Sequence, residues 1–327
     1  MAAPRASSSS ARVRAAREAL AGLARSGGPG DGAILDEALA TLDQATVIEA
    51  AARIADHGIA GRDAALIAAY RALAGARASA DPACLAKAAI LAALDAVDHG
   101  DPELFAAAAR HVQLERARGA SRDTAAPVRV RGVLGVARLG HVDAMAIFGA
   151  CLADRDAEVR HAAARAIAHR GHRDGAGLLL LKLGVGDEVA GIPVECLRGL
   201  FALAPDLAEP RARAMLDDGD PRVRQVALHA LGTAPDDRAI AVLADGLHGA
   251  AVAADRDEII EALGLSRRAA ARALLLELVA SDRTSDAHAA LTALAIHRDD
   301  PRVVAEVRAA TAEAPELADR VAQLFGR

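Results

Sequence analysis

Tryptophan is absent from this 327-residue chain, tyrosine occurs once, and aromatic side chains make up 2% of it although hydrophobic residues make up 53%. Any core must therefore be filled by Ala, Leu, Val and Ile. Small side chains let helices approach closely, which suits many thin two-layer contacts better than one deep centre. Cysteine is scarce as well. Cys84, Cys151 and Cys196 lie far apart with no C-x-x-C pair, which fits neither a disulfide framework nor a zinc knuckle and points to a reducing compartment, the cytoplasm. An excess of positive charge is missing too: 39 Lys and Arg stand against 44 Asp and Glu, a net charge of -5. That balance argues against a nucleic-acid binder working by overall charge, since phosphate neutralisation needs clustered cations. No long apolar run occurs. The richest, "LLLLKLGVG" at 178–186, is broken by Lys182 and glycines and is too short to span a membrane.

The first 30 residues carry Arg5, Arg12, Arg14, Arg17 and Arg25 but no uninterrupted apolar stretch, which argues against a secretory signal. A flexible basic tail with a short amphipathic helix is expected over 1–30. An organelle presequence shares this Arg-rich, acid-poor look and stays open as an alternative.

What is present is repetition. "DRDAEVR" at 154–160 and "DDGDPRVR" at 217–224 are one phrase written twice. With Val159 and Val223 as anchors, Val128 and Ile192 complete a series spaced 31, 33 and 31 residues apart. Five residues before each anchor stands an aspartate: Asp123, Asp154, Asp187 and Asp218. One residue after it stands Arg129, Arg160 or Arg224, with Pro193 interrupting the series. A further step reaches Asp255, where the valine is lost but Arg256, Ile259 and Leu263 persist.

Each unit reads as two helices. Val159, Ala163, Ala166 and Ile167 recur at helical spacing, with His161 and Arg165 on the opposite side. Asp-Pro pairs at 81/82, 101/102, 220/221 and 300/301 set a capping carboxylate before a first-turn proline. Gly58, Gly100, Gly140 and Gly171 come after a His or Arg at the ends of apolar runs, as helix stops do. Strand alternation is nearly absent. Hairpins are predicted near 31–56, 60–98, 101–138, 141–170, 172–203, 205–232, 235–264, 267–297 and 300–326, about nine in all. The longer early units are assigned to longer turns, "GARASADP" and "RGASRDTAAP". No domain boundary interrupts 31–327.

The phrases "DRDAEVRHAAARAI" and "DGDPRVRQVALHAL" resemble HEAT repeats, in particular the short bacterial kind related to phycobilisome-lyase repeats, most clearly over 123–232. The resemblance implies an all-α, HEAT-like α-solenoid: a right-handed superhelix whose second helices line a concave face. It also implies that Asp123, Asp154, Asp187 and Asp218 with Arg129, Arg160 and Arg224 form a structural ladder between neighbouring repeats, with a gap at Pro193. The phrase recurs because each hairpin buries its apolar stripe only against the next.

Chemistry has no comparable signature. Deoxyhypusine hydroxylase resembles such an array but holds its irons with repeated His-Glu pairs, and none of the 11 histidines here is followed by Glu. HEAT-like DNA glycosylases depend on tryptophans and a basic cleft, which this composition lacks. No G-x-x-x-x-G-K-[ST], G-x-S-x-G or H-E-x-x-H occurs. His169 and His172 have a ligand-like interval, but the helix is expected to end at Gly171, which makes a solvated helix end. Catalytic residues, cofactors and metal are therefore expected to be none. Arg165, Arg198 and His229 share the slot six residues after the anchors and form a candidate partner-binding stripe, followed by Glu261; an ordinary solvated face is the alternative. The resulting expectation is a non-enzymatic protein-interaction scaffold whose protein partner carries an acidic segment, with no nucleic acid and no membrane. The alternative is a lyase or modifying factor of the phycobilisome-lyase HEAT-like type.

Overall fold

Apolar residues returning every three to four positions fold into helices along most of the chain. The computed structural model describes residues 5–23, 31–117, 119–249 and 253–326. Residues 1–4 and 24–30, the two ends of the stretch expected to form a basic tail with a short helix, lie outside them. Contacts group the chain into two compact units, 1–166 and 167–327.

In the first unit, α1 (Arg5–Ala21) buries Ala16 and Leu20 and packs on α2 (Asp31–Ala40) and α3 (Gln44–His57). Then come α4 (Asp63–Ala74), α5 (Leu85–Ala96), α6 (Pro102–Ala108), β1 (Leu114–Ala117), β2 (Ala120–Asp123), α7 (Ala126–Leu139) and α8 (Ala144–Leu152). Helices α1, α3, α5 and α7 lie side by side in one layer, α2 and α4 neighbour each other in a second, and α6 packs on α7. Helix α9 (Ala157–Arg170) spans the division between the units.

The second unit repeats the scheme with α10 (Ala176–Val185), α11 (Gly191–Leu203), α12 (Pro205–Leu216), α13 (Pro221–Thr233), α14 (Asp237–Gly249), α15 (Ala253–Gly264), α16 (Ala269–Val279), α17 (Thr284–Leu294), α18 (Pro301–Ala310) and α19 (Ala318–Phe325). Helices α11, α13, α15 and α17 form one layer; α12, α14, α16 and α18 form the other. Among the described residues the fold is all-α apart from one two-stranded ribbon, with helix pairs stacked in two layers within each unit, and the pairs from α2/α3 to α18/α19 coincide with the nine predicted hairpins. Among the described residues no helix is long and apolar enough to cross a membrane.

Local signals act largely as expected. Asp101, Asp220 and Asp300 each accept hydrogen bonds from backbone N–H groups in the first turn of the helix they precede. Gly58, Gly140 and Gly171 adopt φ of 59°, 73° and 69°, the left-handed stop that glycine makes without strain. Gly100 does not; there Asp98 takes the left-handed position.

One segment corrects the sequence reading. "RGASRDTAAP" is not merely a long turn, because β1 and β2 pair antiparallel with Leu114 opposite Asp123 and Ala117 opposite Ala120. The reason it escaped notice lies in what the ribbon buries, described next.

Candidate functional site

The ladder residues divide between ties to a neighbouring hairpin and bonds within their own. Arg129 donates to Asp123 (2.6 Å), to the His111 carbonyl (3.0 Å) and to Asp154 of the following hairpin (3.0 Å). Arg160 closes the loop before α9 on the carbonyls of Asp154 and Arg155. Asp187, its side chain buried, pairs with Lys182 at 2.8 Å. Arg224 turns away from Asp218 to Asp255 and Glu258, both at 3.2 Å, and Arg256 reaches Asp286. Arg129, Arg224 and Arg256 thus tie forward to the next hairpin. By that rule Asp218 would receive its arginine from position 193, where proline stands; it accepts from the Asp220 N–H instead. Asp154→Ala leaves the mostly buried Arg129 without one of its two carboxylates, so we expect a loss of about 1–3 kcal/mol. Urea unfolding measures it; an unchanged midpoint would remove Asp154 from the junction's energetics.

The residues of the stripe differ in their surroundings. Arg165 is exposed on α9, in the first unit. In the second, Arg198 is held by Glu195 of its own helix (2.6 Å), a residue only 8% exposed. Reversing Arg198 would strand that carboxylate, so its charge serves the fold. His229 is exposed and lines a shallow groove of about 500 Å³ with Val194, Pro221 and Val226, between α11 and α13.

A different arrangement, in the first unit, is the more distinctive one. Helix α5 has two charged residues, Lys87 and Asp95. Asp95 pairs with Arg138 on α7, and Lys87 is 1% exposed. The outward stripe of α5, Leu85, Ala88, Ala89 and Ala92, at i, i+3, i+4 and i+7, consequently carries no charge. With Pro127, Val130 and Leu134 of α7 it lines an open groove of about 810 Å³. Leu85 and Leu134 are 48% and 39% exposed. At the rim stand Arg122, Arg131, Asp156 and Glu158.

Beneath the groove lies a buried polar network. The Lys87 ammonium meets Asp81 Oδ2 at 3.0 Å and donates to Gln113 Oε1 at 2.8 Å. Asp81 is fully buried and also accepts from Gln44 and from the N–H groups of Ala86 and Lys87, which caps α5 from four residues before its start. Gln113 donates to the Asp81 carbonyl and to Glu115, which further accepts from Thr124 and the Ala83 N–H. Gln113, Glu115 and Thr124 come from the base of the β ribbon, so the insertion supplies the network. Between Asp81 and α5, Ala83 and Cys84 both sit in the left-handed region, at φ 56° and 57°. Such conformations cost about 1–3 kcal/mol each and persist only where the surroundings over-determine them.

The three cysteines are free and buried. Burial pushes the Cys151 thiol up to about 11 and the Cys196 thiol up to about 12, and it raises Cys84 as well. Thiols so shifted are poor nucleophiles. His169 lies exposed in the last turn of α9, and His172 is exposed just beyond its end.

No family model matches the chain, and no curated protein matches it. Among solved structures it is similar to the complex of CpcE and CpcF of phycocyanin lyase from Nostoc sp. PCC7120, at 20% identity over 73% of this chain and 88% of that one, TM-score 0.38. It is similar to an engineered protein at 18% identity over 97% and 94%, TM-score 0.42, and to human deoxyhypusine hydroxylase in complex with glycerol at 18% identity over 91% and 99%, TM-score 0.29. Likeness of this degree carries no argument about activity or partner.

Proposed function

We propose that this chain is a non-enzymatic protein-interaction scaffold acting in the cytoplasm, with a protein partner that carries an acidic segment. The observation that supports the reading is the uncharged outward face of α5 and the open groove it forms with α7. A solvated helix face in a repeat array ordinarily carries charge, and an apolar patch left open and rimmed by polar groups marks a contact site.

The test is affinity purification of the full chain from its native lysate after mild cross-linking, read by mass spectrometry and absorbance. A discrete protein recovered in constant ratio is the expected result. A pigment or other small molecule retained in that ratio, with no protein, would favour the modifying-factor alternative and overturn the scaffold.

A further inference from the structure

We infer that the α5–α7 groove of the first unit docks an amphipathic helix from a partner protein, apolar on the buried side and acidic along the flank that meets Arg122 and Arg131. This deepens the scaffold reading and rests on it.

The floor selects a helix. Ala88, Ala89 and Ala92 present methyl groups only, so a backbone can approach α5 as closely as small residues allow, while Leu85 and Leu134 stand as walls. A furrow alongside a helix of 12 residues is about 18 Å long, which matches three turns of an incoming helix. Helix-in-groove recognition of this sort reads anchors at i, i+3, i+4 and i+7 on the incoming helix.

The rim selects the charge. Arg53, Arg62, Arg129 and Arg138 of this unit all have carboxylate partners. Arg122 and Arg131 are exposed and have none among the described residues, so their guanidinium groups are free to bind. On the same rim the Asp156 carboxylate caps the Glu158 N–H at the start of α9, and the Glu158 side chain is exposed. The incoming helix therefore carries no acid at the end that meets α9. The same two acids oppose a nucleic-acid backbone. A second copy of this chain would set one furrow against another, a poor fit of shape.

The groove is also pre-formed. The two left-handed residues, Ala83 and Cys84, are pinned by the bond from the Ala83 N–H to Glu115 and by the Asp81–Lys87 network, and they set where Leu85 projects. Holding the wall in place before binding reduces the ordering cost at association.

The full chain should be panned against a phage library of 15-residue helical peptides, and enriched peptides measured by fluorescence anisotropy. We expect acid-flanked amphipathic sequences whose affinity falls tenfold or more with Ala89→Gln, which fills the floor, and similarly with Arg122→Glu plus Arg131→Glu, with helical content and melting unchanged. Val194→Gln, in the groove of the second unit, should leave affinity as it is. Absence of enrichment, basic or uncharged flanks, or affinity indifferent to Ala89→Gln overturns the proposal. Loss through Val194→Gln alone overturns it while the scaffold stands, as does a dimer in light scattering that Ala89→Gln dissolves. No peptide here together with no protein from the lysate removes the scaffold reading too.

Discussion

Lys87→Met should destabilise the first unit by about 3–5 kcal/mol, the cost of breaking a buried ion pair from one side. Asp81 is fully buried, and its carboxylate would keep only neutral donors: the Gln44 amide and the N–H groups of Ala86 and residue 87. Gln113 would lose the ammonium that fixes its amide, and with it the order of its bond to Glu115. Adding Asp81→Asn to Lys87→Met should recover part of the loss, because a neutral amide tolerates the site better than an unpaired charge. Urea unfolding gives the size of the effect and amide exchange gives its place: α5 and the β ribbon should lose protection first. Unchanged exchange in α5 would show that the network is not what holds its start.

The same network makes stability depend on pH. Burial alone would raise the Asp81 carboxyl, but the Ala86 N–H, the Gln44 amide and the N–H and ammonium of Lys87 outweigh it and hold the group below the usual range. A depressed carboxyl contributes stability that is complete above its unfolded value, about 4, and that fades as pH falls through the lower folded value. Below about pH 4 the wild type should therefore lose stability more steeply than Asp81→Asn.

Most of the fold was legible because it rests on signals that lie within a few residues of each other. Apolar residues at 3.6-residue intervals and Asp-Pro caps at α6, α13 and α18 each specify a helix locally, and the recurring arginine is found tying forward at Arg129, Arg224 and Arg256. The groove and its network depend on contacts that sequence spacing does not display. Lys87, inside "CLAKAAILAAL", reads as one solvated charge on an apolar helix; its partners stand six residues upstream and 26 downstream. The β ribbon escaped for a related reason. It turns Gln113 and Glu115 inward, so the alternation that reveals a half-buried strand is polar here, and a search for alternating apolar residues passes over it. One trace was visible, the extra length of the two early units, and that length encodes both the strained entry to α5 and the ribbon that supports it. Slot-counting likewise placed Arg198 on an open stripe without showing that Glu195, three residues earlier, already holds it.

Gly132→Ala and Gly135→Ala in α7 should each destabilise the first unit by about 3 kcal/mol, the upper end of the cost of overpacking. A methyl group at 132 would fall 2.2 Å from the backbone nitrogen of Ala109 and 2.7 Å from the carbonyl carbon of Ala108. Backbone at the end of α6 cannot swing aside, so α6 itself has to move. At 135 the methyl would lie 2.1 Å from the ring of Phe105, which is fully buried and has no open space to turn into. Both changes press on the connection that leads from α6 through His111 to Gln113, so they should loosen the Lys87 network as well as the α6–α7 contact. Helix propensity acts in the opposite sense, since alanine is better than glycine inside a helix by about 0.5–1 kcal/mol. Gly184 in α10 isolates that term: nothing lies within 4 Å of the methyl it would gain, so Gly184→Ala should stabilise its own unit slightly. Melting of the three variants side by side separates the two effects. Equal, small gains at all three positions would mean that α6 and α7 are free to part, and that the glycines are not what lets them lie so close.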